Sequence, residues 1–419
     1  GSQFNSAVAC ALDTTTPQIF AVSKPYLKTS DTSPASRTLT VTGVGFGATA
    51  GKLYLGSTQM GVSSWTDRSI SFLVPSPPAI ASGPQQLSIV GANGMKSVNG
   101  VSIHVMSTFN PSYNPTVYEV GPGKTYSSIQ AAIDAAQNTA QALVVVYPGG
   151  VPDSTNPAYN PRKAYFENLI ISSPVKLQGV GPGGVYPDGS VVEGSIIDGG
   201  AFGGDTPLAD TWRTRLGNMT WAGNQTPYEG QTVYWLARNT NQFPTNATYK
   251  PAIDGFSIQG GDQAGFPNNI NVIGGTPTGL PATVQTQGGG VFVNGYVSGV
   301  TLRRLDIHDA GSTGIYLEAG SKQSTVTGNA IHDNGFAQAS PAGQLITMGG
   351  QQFRYWGTGR EGLAIDGSWE NTISGNTVYG NMVDAGGTHV VAYAEIFVGE
   401  SPLAPGLTMI EFSPESSTA

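Results

Sequence analysis

The feature that most constrains the fold is an internal repeat in the second half of the chain. The segment GVTLRRLDIHDAG (299–311) aligns with QSTVTGNAIHDNG (323–335), and NTISGNTVYGN (371–381) aligns in the same frame. His308 and His332 are 24 residues apart, which is about one coil of a β-solenoid. Asparagine tolerates the left-handed backbone of the Gly-Asn bends in these segments. The repeat predicts stacked coils about 4.8 Å apart that share asparagine amide hydrogen bonds.

The composition is typical of a secreted all-β protein. Charged residues make up 11% of the chain, against roughly 25% in ordinary soluble domains, and there are 58 glycines. The net charge is −8 and basic residues form no concentrated stripe, which argues against a nucleic acid partner. No apolar run approaches the roughly 18 residues of a transmembrane segment. Residues 1–16 are interpreted as a leader or tag.

Residues 17–107 contain short alternating apolar and polar segments separated by turn residues, a pattern that predicts an antiparallel β-sandwich. TVTGVGFG (40–47), WTDRSISFLVP (65–75) and GPQQLSIVGANGMKSVNGVSIHV (83–105) resemble an IPT/TIG domain of the immunoglobulin-like class. This resemblance implies a spacer or binding module beside a larger domain. Two prolines and two asparagines predict a linker at 108–116.

A short helix and a buried strand follow the linker. The apolar spacing of residues 127–136 predicts the helix, with Thr125 or Ser127 as its N-cap, and the strand is LVVVY (143–147). Together with FENLIISSPVKLQGVGP (166–182), they resemble the opening of pectin-lyase-like β-helices, in which the helix closes the open end of the solenoid.

The predicted fold class is therefore all-β. An N-terminal immunoglobulin-like β-sandwich precedes a right-handed single-stranded parallel β-helix at 117–384, which begins with an N-terminal capping helix. Two loop insertions are predicted, at 199–250 and 337–361. Residues 385–419 lack the Gly-Asn bend, and are interpreted as an extension that caps the solenoid or pairs with a neighbouring chain.

Aromatic residues cluster in the two predicted insertions. Flat rings beside amide groups suit sugars, whose C–H faces pack on aromatic planes while their hydroxyls form hydrogen bonds. The alternative is that these rings pack the loops onto the solenoid. We predict substrate-binding roles for four insertion tryptophans and one tyrosine of the last repeat: Trp212, Trp221, Trp235, Trp356 and Tyr379.

The pairs His308-Asp309 and His332-Asp333 form the sharpest candidate site. In the predicted register, both imidazoles lie side by side on one outer face with two carboxylates nearby. We predict that one histidine acts as a base, that the aspartates orient it or bind a cation, and that Arg304 holds a uronate. The alternative is a solvated ladder that recurs because the coil recurs.

Further ionisable residues are expected around these pairs: Arg303, Asp306, Glu318, Lys322, Glu361 and Asp366. A polysaccharide lyase needs a base and a cation, whereas a glycosidase needs two carboxyl groups roughly 5 to 10 Å apart. The ionisable residues of this segment include side chains of the kinds that either reaction requires. Acidic Gly-rich bends at 198–200, 203–205 and 260–262 could hold Ca²⁺ or form ordinary turns, so the cofactor is left open and no metal ligand is assigned.

The signatures of polygalacturonases, alginate epimerases and pectate lyases are absent, so the resemblance extends to the fold and not to catalysis. We predict a secreted or cell-surface protein whose β-helix binds a polysaccharide or cell-surface glycan, with cleavage by a lyase or glycosidase mechanism left open. The alternative is a non-catalytic adhesin or structural fibre that self-associates through its C-terminal strands.

Overall fold

The structure, a computed structural model, describes most of both predicted domains. The described residues are 15–75, 80–109, 112–149, 163–199, 211–212, 214–216, 218–219, 228–261, 285–286, 289–311, 313–335, 344–348, 351–355, 361–381 and 395–399.

The N-terminal domain is a β-sandwich, as the alternating pattern predicts. Its elements are β1 (Gln18–Val22), β2 (Tyr26–Lys28), α1 (Pro34–Arg37), β3 (Thr38–Val44), β4 (Lys52–Leu55), β5 (Thr58–Gln59), β6 (Val62–Trp65), β7 (Ser69–Leu73), β8 (Gly83–Val90) and β9 (Val101–Met106). The strands form two sheets, ordered β1-β3-β7-β6 and β2-β9-β8-β4-β5. Alternate residues of β3 and β7 point into the shared core, which includes Val41, Ile70 and Phe72.

The second domain begins at β10 and is built almost entirely of short strands. In chain order its elements are β10 (Thr116–Val120), α2 (Ile129–Ala136), β11 (Ala142–Val146), β12 (Tyr165–Phe166), β13 (Leu169–Ile171), β14 (Lys176–Gly179), β15 (Gly184–Val185), β16 (Val191–Val192), β17 (Ile196–Asp198), β18 (Tyr228–Glu229), β19 (Val233–Trp235), β20 (Ala252–Asp254), β21 (Ser257–Gly260), β22 (Gln285–Thr286), β23 (Val291–Val293), β24 (Thr301–Arg303), β25 (Asp306–Ala310), β26 (Ile315–Leu317), β27 (Thr325–Thr327), β28 (Ala330–His332), β29 (Gln344–Met348), β30 (Gln351–Tyr355), β31 (Leu363–Asp366), β32 (Thr372–Ser374), β33 (Thr377–Tyr379) and β34 (Ile396–Gly399).

Three parallel sheets wind these strands into the predicted β-helix. Sheet I has the order β10-β11-β14-β20-β24-β27-β32, sheet II β12-β17-β21-β25-β28-β33, and sheet III β13-β19-β23-β26-β31-β34. Each strand of these sheets except β34 contributes at least one side chain to the core or packs one against it, and a single apolar cluster runs from Val120 to Ile365. The stacked coils are therefore held by one continuous core.

The three longest connections between these strands, 199–232, 261–290 and 333–362, leave sheet II and return to sheet III. The segment 380–395 takes the same course, whereas β25 and β26 are joined by 311–314 alone. Shorter connections at 147–164, 180–195 and 236–251 join the other sheets. Strand β19 lies inside the predicted insertion 199–250, which is thus too long at its C-terminal end. Strand β34 lies in the predicted extension 385–419 and adds a further strand to sheet III, so the solenoid continues beyond residue 384.

Helix α2 covers the N-terminal end of the solenoid, as predicted. Its buried face consists of Ile129, Ala132, Ile133 and Ala136. The N-cap is Ser128, one residue beyond the predicted Ser127, because the Ser128 hydroxyl is the oxygen that accepts from the backbone N–H of Ala131. The helix is thereby fixed on the first coils.

Two asparagine ladders connect successive coils. Asn329 donates to the amide oxygen of Asn376 at 2.8 Å, and Asn334 donates to Asn381 at the same distance. This confirms the predicted sharing of amide hydrogen bonds. The left-handed residue is the one before each asparagine (φ 65° at Gly328), so the prediction that asparagine itself takes this conformation is wrong. The asparagine side chain points inward instead and bonds to the backbone of the preceding coil.

A buried ion-pair network joins the sandwich to the solenoid. The Asp254 carboxylate accepts from Arg303 at 2.5 Å, from Arg304, and from the backbone N–H and hydroxyl of Ser102 in β9 at 3.2 and 3.1 Å. Burial alone would raise the pKa of Asp254, but the charges of Arg304 and Arg303 outweigh it and hold that pKa well below its usual range. Asp254 is therefore ionised, and both domains depend on it.

His104 in β9 adds a neutral contact to the same interface. Its two ring nitrogens bond to Tyr113 at 2.6 Å and to Gln178 of β14 at 2.8 Å. Complete burial lowers its pKa to about 3, and the hydrogen bond that the imidazole donates to Gln178 Oε1 opposes this shift. The imidazole is uncharged at neutral pH, so this part of the interface does not depend on its protonation.

We predict that Asp254→Asn destabilises the protein by about 3–5 kcal/mol, because two buried guanidinium groups lose their counter-charge. The sandwich and the solenoid should then unfold in separate thermal transitions, measured by differential scanning calorimetry. Glu193→Gln is the control, since the Lys163–Glu193 pair is exposed and such pairs contribute about 0–1 kcal/mol. Equal melting curves for the two variants would contradict the prediction.

Candidate functional site

The stacked histidines lie where the repeat predicts them. Parallel pairing of β25, β28 and β33 places His308 opposite His332, and His332 opposite Tyr379. The two imidazoles are 5.3 Å apart between ring centres and nearly parallel, and the Tyr379 ring lies 4.9 Å beyond His332. These side chains form a continuous stack on the outer face of sheet II, which we call the ring ladder.

Carboxylates hold His332 on both sides. Its Nδ1 lies 2.7 Å from Asp333 and its Nε2 lies 2.9 Å from Asp306 of the preceding coil. Asp333 has a φ of 52°, a left-handed conformation that aspartate tolerates better than most residues. His332 is thus the centre of a two-carboxylate clamp.

The clamp changes the chemistry predicted for His332. Burial lowers the pKa of the imidazole, but the hydrogen bonds and charges of Asp306 and Asp333 outweigh burial and raise that pKa to about 9. The ring is therefore an imidazolium at neutral pH and has no lone pair with which to accept a proton. This arrangement does not favour the predicted role of His332 as a general base, which needs a neutral imidazole.

His308 has the same arrangement with a serine in place of one carboxylate. Its Nδ1 lies 2.7 Å from Asp309 and its Nε2 lies 3.1 Å from the hydroxyl of Ser257. These contacts have the connectivity of a Ser-His-Asp triad, but Ser257 is fully buried, so no substrate reaches its hydroxyl in this structure. Ser257 was not predicted from the sequence, because it lies outside the aligned repeat segments; pairing of β21 with β25 places it opposite Asp306.

Arg304 lies apart from the ring ladder. Its left-handed backbone, with a φ of 51°, turns it towards the sandwich, where it bonds to Asp254 and Ser102. Its side chain is 9% exposed. This position does not favour the predicted uronate-binding role of Arg304, because its guanidinium is buried against Asp254 inside the domain interface.

The predicted aromatic binding residues are divided between the core and the surface. Trp235 is fully buried inside the solenoid, because β19 is a coil strand and not a loop, and a role in substrate binding is excluded for it. Trp212 is 4% exposed and stacks 6.2 Å from Tyr234 on the outer face of sheet III, so it covers that sheet. Trp221 and Trp356 lie outside the described residues. Tyr379 is half-buried at the ring ladder.

A second polar row lies on the outer face of sheet III. Glu318 directly follows Leu317, which pairs with Ile365, the residue before Asp366. The two carboxyl groups therefore lie on adjacent coils at the same height. Tyr316 donates its phenolic hydrogen to Asp366 Oδ2 at 2.7 Å. We call Glu318 and Asp366 the carboxyl pair. Both residues were recognised as ionisable in the sequence, but the sequence does not show that they lie on adjacent coils.

The environment of Glu318 favours its protonated form. Burial raises its pKa, a hydrogen bond from the Gly295 backbone opposes the rise, and the charge of Asp366 adds to it, giving about 8. Asn294 and Gly295 both donate to Oε2, at 2.6 and 2.8 Å. Within the described part of the chain, Oε1 has no hydrogen-bond partner, which leaves it as the oxygen on which a proton can be held.

Neither row forms a metal site among the described residues, where no three histidine, cysteine or carboxylate side chains are grouped as ligands. The candidate calcium bends at 203–205 and at Asp262 lie outside these residues. The structure also contains no helix, in its described part, that is long and apolar enough to cross a membrane.

Comparisons with known proteins agree with the two-domain interpretation. Residues 22–105 match the model of the IPT/TIG domain, and residues 229–400 match that of the right-handed β-helix region. Both family resemblances found in the sequence are thus confirmed, and so is the fold class. None of the curated protein sequences matches the chain.

Two solved structures illustrate the range of similarity. A gamma-CGTase from Alkalophilic bacillus clarkii is 24% identical over 27% of this chain, with a TM-score of 0.19, and the match spans only 15% of that protein. A family 28 exopolygalacturonase from Yersinia enterocolitica is 10% identical, covers 92% of this chain and 69% of its own, and has a TM-score of 0.30.

The clamp around His332 makes the stability of the protein depend on pH. Because folding raises the pKa from 6.5 to about 9, the stabilisation is complete below pH 6.5 and is lost as pH rises through 9. We expect the free energy of unfolding to fall by on the order of 2 kcal/mol over this range, measured by urea denaturation.

The matched variant for this measurement is His332→Gln, which keeps hydrogen bonding but cannot titrate. Glu318 and Lys176 also have pKa values of about 8, so the quantity of interest is the difference between the two proteins. That difference should narrow as pH rises from 6.5 to 9. Parallel stability curves would show that the two carboxylates do not hold an imidazolium.

Proposed function

We propose that the protein is a secreted or cell-surface polysaccharide hydrolase that acts through its carboxyl pair. The observation that carries this proposal is the pairing of Glu318, whose pKa is raised to about 8, with Asp366 on the adjacent coil. Glycosidases require one carboxyl group that is protonated at neutral pH beside a second that is ionised. Both side chains are half-buried, so they remain accessible from the surface.

The division of roles follows from the hydrogen bonds. Glu318 Oε1 donates its proton to the glycosidic oxygen, and the bond between that oxygen and the anomeric carbon breaks. Asp366 Oδ1 attacks the anomeric carbon and forms a glycosyl ester, while Tyr316 holds Oδ2. The Glu318 carboxylate then takes a proton from water, whose oxygen attacks the anomeric carbon and releases Asp366.

The spacing of the coils favours retention of anomeric configuration. Adjacent strands of a parallel sheet are about 4.8 Å apart. Retaining glycosidases have carboxyl groups about 5–5.5 Å apart, whereas inverting enzymes need roughly 6.5–9.5 Å to admit a water molecule. Two carboxyl groups at the same height on neighbouring coils match the shorter distance.

Hydrolysis is preferred to elimination because of what surrounds the histidines. A lyase needs a neutral base and a cation that neutralises the substrate carboxylate. His332 is an imidazolium between two carboxylates, and Arg304 is paired inside the domain interface. The carboxyl pair needs neither group.

The test is hydrolysis of a panel of neutral and acidic polysaccharides, followed by the appearance of reducing ends. Glu318→Gln should lower kcat by about 10²–10⁴-fold, because the acid proton is lost while the shape and the bonds to Oε2 can remain. Wild-type activity should fall as pH rises through about 8, where Glu318 loses its proton.

Glu370→Gln is the matched control, since Glu370 is exposed on a neighbouring turn and bonds only to Gln323 in the described structure. Its kcat should equal that of the wild type. Unsaturated products, or equal activity of Glu318→Gln and wild type, would exclude acid catalysis by Glu318. No cleavage of any polysaccharide by folded protein would favour the non-catalytic alternative.

That alternative, a self-associating surface protein, is supported by strand β34. Ile396, Phe397 and Val398 are 45%, 41% and 53% exposed, and β34 is the last strand of sheet III within the described residues. Exposed apolar strands at the edge of a sheet pair readily with other chains.

We predict that the protein self-associates in a concentration-dependent manner and that Val398→Lys weakens this association by at least about tenfold, since it places a charge on the exposed strand. Sedimentation velocity measures the effect. Val185→Lys is the control, because Val185 is 56% exposed in the separate β15-β16 pair. A monomeric wild type, or equal effects of the two variants, would contradict association through β34.

A further inference from the structure

A cavity of about 220 Å³ lies at the N-terminal end of the solenoid, away from both the ring ladder and the carboxyl pair. It is open to the surface and is lined by the last turn of α2, by Ile170 and the residues after β13, and by Arg215, Asn218 and Met219. Ile133, Ile170 and Met219 contribute its apolar wall. Its size suits a single small molecule, because sites for drug-sized ligands are roughly 300–1,000 Å³.

The cavity carries a positive charge in a chain whose net charge is −8. Arg215 forms a two-pronged ion pair with Asp134, at 2.6 and 2.9 Å, and these charges cancel. Arg238 lines the same cavity and contacts only the Gln242 amide oxygen, at 3.4 Å from Nε. No carboxylate of the described residues pairs with Arg238. Its guanidinium is available to an anion.

A buried hydroxyl independently indicates a ligand. Ser173 lines the cavity and is 8% exposed, and its Oγ has no hydrogen-bond partner among the described residues. Leaving a buried polar atom unsatisfied costs about 1–3 kcal/mol, and folded proteins rarely do so. Ser173 itself lines the cavity, and rotation of its side chain about χ1 would bring this hydroxyl to a ligand oxygen there.

The remaining polar groups define the rest of the ligand. The Asp134 carboxylate accepts hydrogen bonds, and the amide side chains of Gln137 and Asn218 can both donate and accept. A ligand that uses all of these groups has one negative charge, several hydroxyls and a C–H face for the apolar wall. An acidic monosaccharide unit combines these properties.

We propose that this cavity binds the carboxylate-bearing sugar of an acidic glycan. Arg238 pairs with the sugar carboxylate, Ser173 donates to the same group, and Asp134 accepts from sugar hydroxyls. The site goes beyond the proposed hydrolysis, because it uses none of the residues of the carboxyl pair. Strand β13 precedes β26 by three positions in sheet III, so the two sites are about 14 Å apart along the solenoid.

The test is binding of glucuronate to the whole protein, measured by isothermal titration calorimetry with glucose as the uncharged comparison. We expect glucuronate to bind and glucose to bind at least about tenfold more weakly, because Arg238 recognises the charge. Arg238→Gln should weaken glucuronate binding by about tenfold or more. Ser173→Ala, which retains the charge, should weaken it by about threefold to tenfold.

Two controls make the result decisive. Arg68→Gln removes an arginine charge from an exposed ion pair elsewhere, and it should leave glucuronate binding unchanged. Glu318→Gln should lower the kcat of hydrolysis by about 10²–10⁴-fold without affecting glucuronate binding, so the failure of one proposal is distinguishable from the failure of the other.

Equal affinity for glucose and glucuronate would overturn the proposal, as would unchanged binding in both Arg238→Gln and Ser173→Ala. If Arg238→Gln does not fold, as judged by circular dichroism, Ser173→Ala decides the matter. Sulfate that competes as strongly as glucuronate binds would also overturn it, because the site would then recognise a charge and not a sugar.

Discussion

The register between coils is the constraint on which the rest of this structure depends. Each strand of the solenoid has only two to five residues, too few to fix its own position. Parallel pairing with the strands of the neighbouring coils fixes that position instead. The two asparagine ladders reinforce that pairing, because each amide bonds both to the next asparagine and to the preceding coil. A slip of one residue would turn every inward side chain outward. The ring ladder and the carboxyl pair exist only because this register holds.

A second constraint links the two domains through charge. Asp254 is buried, and its carboxylate is shared by two arginines of the solenoid and by Ser102 of the sandwich. Burying a carboxylate costs free energy, and burying it without its cationic partners costs more. Loss of the contacts between the domains would therefore be unfavourable, so the two domains are held in one relative orientation. The sandwich is therefore packed against the solenoid and is not a freely moving spacer.

The sequence predicted what local repetition encodes and failed where distant segments meet. The 24-residue spacing placed His308 on His332 because both occupy the same position of the repeat. Arg304 could not be assigned in this way, since its partner Ser102 is 202 residues away in another domain. Trp235 was misplaced because periodicity alone does not distinguish a buried coil strand within an aromatic-rich segment from a loop. Glu318 and Asp366 were both recognised as ionisable. The long connection between β28 and β31 interrupts the repeat spacing, so the sequence did not show that the two residues lie on adjacent coils.

The connections from sheet II to sheet III can vary in sequence and length without changing the core of the solenoid. The three longest connections leave the solenoid at one corner, while most connections at the other two corners are short turns. Segments can therefore lengthen, shorten or change composition along one edge without altering the inward side chains or the asparagine ladders. A solenoid of this kind can exchange the ligand that it recognises while its core stays the same, and homologues are expected to differ most along that single edge.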